Sequence, residues 1–127
     1  MKHDLESNKR NAIGFYRTAY RGEPAEAVQR YVGAEYIQHN PQVRDGKEGF
    51  IEYFDEIYRE YPDKEIEFVR AVAEGDLVAL HTYQVWPGGE EYVTMDFFRF
   101  DENGKIVEHW DSIQKVPSGT KSGNPMY

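Results

Sequence analysis

The stretch "EIEFVRAVAEGDLVALHTYQVW", residues 65–86, marks where this chain changes its period. Before it, apolar residues recur at helical spacing. Within it, apolar and polar residues alternate on either side of Glu74-Gly75-Asp76, a short turn signal with glycine at its centre. This predicts a hairpin of two strands. Outward toward the C-terminus, "PGGE" predicts the next turn, "EYVTMDFFRF" (91–100) a third strand, "DENG" a further turn and "KIVEHWDSIQKV" (105–116) a fourth.

Outward toward the N-terminus the pattern predicts three helices. Asp4 to Tyr20 carries Leu5, Ala12, Tyr16, Ala19 and Tyr20 on one stripe, and Pro24 suits the first turn of a short helix ending near Gly33. A third helix follows Asp45, a suitable N-cap, with Phe50, Phe54, Ile57, Tyr58 and Tyr61 at helical spacing until Pro62 ends it. Three helices followed by a four-stranded antiparallel meander make an α+β domain. The 127 residues suit one domain, 1–127, closing with the irregular tail "PSGTKSGNPMY" at 117–127. That tail either frays or uses Met126-Tyr127 to dock on a neighbouring subunit or cover a cavity.

Composition narrows the partners. A formal charge of −8 argues against nucleic acid and anionic membrane, which require clustered Lys and Arg. No cysteine is present, which removes disulfides and thiolate metal sites. The first residues, "MKHDLESNKRNA", lack an apolar signal core, and no stretch reaches the length of a membrane span, so a cytoplasmic location is expected. Aromatic residues form 15% of the chain, enough for bulky walls around a core or cavity.

Between the second and third helices lies "EYIQHNPQVRDGKEGF", residues 35–50, with Gln38, His39 and Asn40 ahead of Pro41. Pro41 disfavours helix at Asn40, so Tyr36 to Pro41 is extended or turned. The polar trio is either a surface turn or a pocket lining. Parity along the strands groups Val107, His109, Asp111 and Ile113; Thr94, Asp96, Phe98 and Phe100; and Ala79, His81, Tyr83 and Val85. If these three sets point inward, His81, Asp96, His109 and Asp111 share one concave surface. The opposite faces are also apolar, so parity alone leaves the inner face open.

At "YIQHNPQVRDGKEGF" and "FFRFDENGKIVEHWDSIQKV" the chain resembles the SnoaL-like polyketide cyclase branch of the nuclear transport factor 2-like superfamily, and within it the predicted SnoaL-like aldol-condensation enzymes. The resemblance implies a cone-shaped α+β barrel in which a curved, mostly antiparallel mixed sheet wraps a pocket closed by the helices. It also implies a homodimer paired through the outer sheet faces. The cyclases' acid/base aspartate, on the strand after "GKI", corresponds to Asp111, and a polar corner residue corresponds to Asn40. Asp96 stands where those cyclases carry a histidine, so the charge at that position is opposite in sign.

The expectation is a cofactor-independent site that moves a proton at carbon next to a carbonyl. Asp111 is the candidate base, with His109 and Asp96 as its acid/base partners. Asn40, His39 and His81 are the candidates for orienting donors, and Tyr83, Trp110, Phe54 and Tyr16 for the remaining substrate contacts. The substrate class is a small apolar or aromatic molecule containing a carbonyl. The four His and paired Asp raise the question of a metal, but without tight ligand spacing none is expected. A non-catalytic ligand-binding module and a dimeric interaction protein with a vestigial pocket stand as the alternatives.

Overall fold

A computed structural model describes residues 3–127; Met1 and Lys2, part of the expected 1–127 domain, lie outside the described residues. Helix α1 (Leu5–Tyr20) starts where the Asp4 carboxylate accepts the Ser7 backbone N–H at 3.0 Å. Helix α2 (Pro24–Tyr31) begins on its proline, and α3 (Gly46–Glu60) follows the polar corner. The strands are β1 (Val32–Gln38), β2 (Glu65–Glu74), β3 (Leu77–Val85), β4 (Glu91–Phe100) and β5 (Ile106–Lys115). The hairpin, the two later turns and all four expected strands are present. The fold is α+β: three helices cover one face of a five-stranded mixed sheet of order β1-β5-β4-β3-β2.

The fifth strand is a correction to the meander read from alternation. Val32–Gln38 runs directly out of α2 and pairs in parallel with β5, Ile37 opposite Glu108 and Gln38 opposite His109. All other neighbours are antiparallel.

Cross-strand register settles which face is inner. Ala71, Leu80, Asp96 and Asp111 lie in one row under the helices, and Phe68, Thr82, Thr94 and Ile113 lie in the next. The opposite face carries Val72, Ala79, Phe97 and Trp110 in one row and Arg70, His81, Met95 and Ser112 in another. A bulge at β5 sets Ile106 opposite Phe100 and Glu108 opposite Arg99, so Val107 is the extra residue. Ile106 therefore enters the core in place of Val107.

Phe15, Phe50, Phe98, Phe100, Leu80 and Ile106 form the centre of the core. Phe15 stacks on Phe50 with centroids 4.5 Å apart and meets Phe98 edge-on at 6.0 Å. Phe15 was absent from the expected α1 stripe, and Leu5, which was on it, is exposed. Asp45 stands at the N-cap position of α3 but makes no cap bond; its carboxylate accepts the Gln38 N–H at 2.8 Å instead. The corner is thus drawn back onto the end of β1. Gly49 permits this: a Cβ there would sit 1.7 Å from the Arg44 carbonyl oxygen.

The tail has no helix or strand after Lys115. Its end packs on the chain's own outer sheet face, with Tyr127 stacked on Tyr83 at 3.8 Å and the Met126 carbonyl 3.1 Å from His81 Nε2. No helix among the described residues is long and apolar enough to cross a membrane.

Candidate functional site

A cavity of about 590 Å³ opens between the helices and the inner sheet face, within the size range of small-molecule sites. Helix α1 contributes Tyr16 and Tyr20, α3 contributes Phe50, Tyr53 and Phe54, and the corner contributes Asn40 to Val43. The floor is the inner parity of β4 and β5, including Thr94, Asp96, His109 and Asp111. Each side chain is placed by an alternation that puts every second residue under the helices.

Asp96 and His109 sit at the back, 1% and 2% exposed. The Asp96 carboxylate accepts the Tyr16 hydroxyl at 2.6 Å and the Thr94 hydroxyl at 2.6 Å, and its Oδ1 lies 2.8 Å from His109 Nε2. Thr94 spends its only proton on Asp96, so in the 2.5 Å contact between Thr82 and Thr94 it is Thr82 that donates. Thr82 in turn accepts from Gln84 Nε2 at 3.3 Å, and Gln84 Oε1 accepts from Trp86 Nε1 at 3.2 Å. Every donor in this relay points toward the carboxylate.

Hydrogen bonding also sets the histidine tautomer. Gln38 Oε1 accepts the His39 and Asn40 backbone N–H groups at 3.1 and 3.0 Å, which identifies it as the amide oxygen. His109 Nδ1, 2.7 Å from that oxygen, therefore carries a proton. His109 Nε2 lies 2.8 Å from both Asp96 Oδ1 and the Tyr16 hydroxyl, so the three groups form one compact polar cluster.

Asp111 is placed differently. Asn40 Nδ2 donates to both of its oxygens at 3.0 Å, while Asn40 Oδ1 accepts the Gln42 N–H at 2.8 Å, which fixes the amide's orientation. His109 Nε2 is 3.9 Å from Asp111 Oδ2, beyond hydrogen-bond distance. Burial lifts the Asp111 carboxyl above its ordinary value; His109 and Asn40 oppose this and Asp96 adds to it. Burial, reinforced by Asp96, also holds the Tyr16 and Tyr36 phenols neutral, well above their usual range. The Tyr36 hydroxyl is buried on the cavity wall beside the Gln38 side chain and makes no hydrogen bond of ordinary geometry among the described residues.

The register thus gathers Asp111, His109, Asp96, Asn40, Phe54 and Tyr16 around one cavity. It places His81, Tyr83, His39 and Trp110 outside it, correcting the expectation that they line the pocket. Leu80, not His81, faces Asp96, so His81 and Tyr83 point to the outer face. There His81 contacts Arg70 and the tail. His39 stacks on Trp110 at 4.9 Å and 3° and bonds Glu108 at 2.8 Å, an outer-face arrangement that Arg99 extends over the indole.

Lys64 was missed. It occupies the turn between α3 and β2, flanked by Asp63 and Glu65, and reads in sequence as a solvated charge. In the structure it is 9% exposed, on the wall of the same cavity. No local signal marks it, because the rings around it come from three separate elements. Gln38 and Tyr36 were legible only as corner residues.

Asp96, His109 and Asp111 each offer one ligand atom within 4.8 Å of the others, a spacing a metal ion would accept. The donor set speaks against it. Both Asp96 oxygens are occupied by hydroxyl donors, and the only imidazole nitrogen not bonded to Gln38 already meets Asp96.

Three helices over a mixed sheet, closed around an acid-floored cavity, define an α+β protein of the nuclear transport factor 2-like class. More narrowly, the chain belongs to the SnoaL-like domain family, whose sequence profile matches residues 12–109. Among solved structures, TsrD from Streptomyces laurentii superposes with a TM-score of 0.75 at 20% identity, over 89% of this chain and 92% of its own. A candidate polyketide cyclase from Bacillus cereus ATCC 10987 gives 0.75 at 18% identity, over 85% and 74%. A candidate ketosteroid isomerase from Kribbella flavida DSM 17836 gives 0.71 at 18% identity, over 98% and 92%. Identities this low carry the fold and nothing about the chemistry. No functionally curated protein matches the sequence.

Proposed function

We propose that the cavity binds a small apolar or aromatic carbonyl compound, and that Asp111 moves a proton at the carbon beside its carbonyl without a cofactor. The observation that carries this reading is the environment of Asp111. Its carboxylate stands on the cavity wall, oriented by Asn40, with a basicity that burial has raised. A desolvated carboxylate is a stronger base than a hydrated one.

In this reading Asp111 takes the proton, and the C–H electron pair moves onto the carbonyl oxygen to give an enolate. The Tyr36 hydroxyl is a donor for that oxygen, and a ligand there would give a buried group the well-formed hydrogen bond it lacks among the described residues. The imidazole of His109, hydrogen-bonded to Gln38 and beside Asp96, stands close to the developing charge. Where a C=C is conjugated to the enolate, return of the proton from Asp111 at the far carbon gives isomerisation; attack of the enolate on a second carbonyl, with that proton passed to the new alkoxide, gives aldol addition or cyclisation. Assembly as a homodimer belongs to the same proposal, supported by exposed Val72, Met95 and Phe97 on the outer sheet face. Sedimentation at micromolar concentration tests it, and a monomer refutes it.

The deciding experiment follows deuterium exchange at the acidic C–H of bound 1,3-diketones by NMR. Asp111→Asn is expected to slow exchange by about 10²- to 10⁴-fold and leave binding within a few fold. Exchange that persists in Asp111→Asn removes the base assignment. Binding without catalysed exchange in the unaltered protein identifies a ligand-binding module instead.

A further inference from the structure

We propose that Lys64 is an anion anchor on the wall of this cavity, and that the ligand is an organic acid whose carboxylate pairs with the Lys64 ammonium while the carbon beside its carbonyl reaches Asp111. The inference rests on the reading of the cavity as a carbonyl-compound site and names the class of compound it takes.

Lys64 Nζ lies 4.2 Å from the Trp86 ring centroid, 4.4 Å from Tyr20 and 5.8 Å from Phe54, and all three rings line the cavity. The ring faces solvate a cation but bring no counter-charge. No carboxylate lies within ion-pair distance of Nζ among the described residues. From α1, Arg17, Tyr20 and Arg21, and from β2, Glu65 and Glu67, border the smaller depression on its other side. Tyr20 is held neutral by burial and by Asp96. A nearly buried ammonium without an acidic partner is rare, because desolvation without pairing is costly. Here it lowers the Lys64 ammonium to about 7.

A carboxylate entering the cavity would supply the missing charge and hold the proton on Lys64. The two charges then sort one ligand. The acidic floor repels its carboxylate and the lysine attracts it, so the ligand binds in one direction, with its carbonyl toward the base.

The test compares 4-oxo-4-phenylbutanoate with its methyl ester by calorimetry. The unaltered protein is expected to prefer the acid roughly 10- to 100-fold at about pH 6, the range for a charge-assisted hydrogen bond. The preference should fall as pH rises through about 7 toward 9, since the free lysine loses its proton first. Lys64→Met should abolish the preference, and Lys64→Arg should keep most of it. Asp111→Asn should retain it while losing exchange, which separates failure of the anchor from failure of the base. Equal binding of acid and ester, binding of neither by the unaltered protein, or a preference that survives Lys64→Met overturns the anchor. The first two outcomes and the pH series need no variant to fold.

Discussion

Asp96 and Lys64 are both buried and ionisable on the wall of one cavity, yet their surroundings differ in kind. Asp96 meets two hydroxyl donors and an imidazole, themselves held by Thr82, Gln84 and Gln38. Lys64 meets three ring faces and, among the described residues, no acid within ion-pair distance. A group enclosed by fixed partners is part of the scaffold, and its removal should damage the fold. A group enclosed without a partner costs stability, and its presence asks for a function outside the fold. Asp111, on the same floor as Asp96, stands between the two: Asn40 donates to both of its oxygens, yet burial still raises its carboxyl.

The strongest way to break this contrast is Asp96→Asn. It should destabilise the protein by about 3 kcal/mol in urea titration, because it removes a carboxylate that several buried donors share. A loss below about 1 kcal/mol would erase the distinction between the two groups.

Lys64→Met should act with the opposite sign, stabilising by roughly 1–3 kcal/mol at about pH 6. In the unfolded chain the lysine keeps its proton up to about 10.4, and in the fold only to about 7. Below 7 both states are protonated and the fold bears the full cost of the buried charge. Between the two values the unfolded chain binds more protons, so native stability rises with pH and the variant's advantage shrinks toward zero near pH 10. Melting curves at several pH values check this.

Gln38→Leu should cost about 1–2 kcal/mol by removing the acceptor for His109 Nδ1 and for the corner amides. It should also shift the pH profile of C–H exchange, which a merely structural residue would leave in place. Asp111→Asn should gain a little, under about 1 kcal/mol at neutral pH, because a raised carboxyl penalises the fold only above the unfolded value of about 3.9. Thr82→Val is the mildest change, about 0.5–1 kcal/mol, since Thr94 can still donate to Asp96.

Legibility in the sequence followed locality. Strands β2 to β5 declared themselves through alternation, and the Glu74-Gly75-Asp76 turn through its glycine, which adopts a φ of +60°. Strand β1, "VGAEYIQ", did not, because it contains glycine and glutamate and its partner is distant in sequence. Asp96, His109, Asp111 and Asn40 were found by parity and by family resemblance. His81 and Tyr83 went astray because parity gives a side, not a register: the Pro87–Glu90 turn sets Leu80 opposite Asp96. The bulge at Val107 is equally silent in the sequence, since no residue there demands it. Lys64 was out of reach for a different reason: its meaning depends on rings from α1, α3 and the end of β3.

Among the described residues, strand β1 finds its one sheet neighbour in β5, about seventy positions later. While the ribosome is still extending the chain, residues 32–38 lack the strand that takes up their sheet hydrogen bonds. Closure must wait for the final strand to emerge, so this protein should depend on holding chaperones during synthesis more than its modest size suggests.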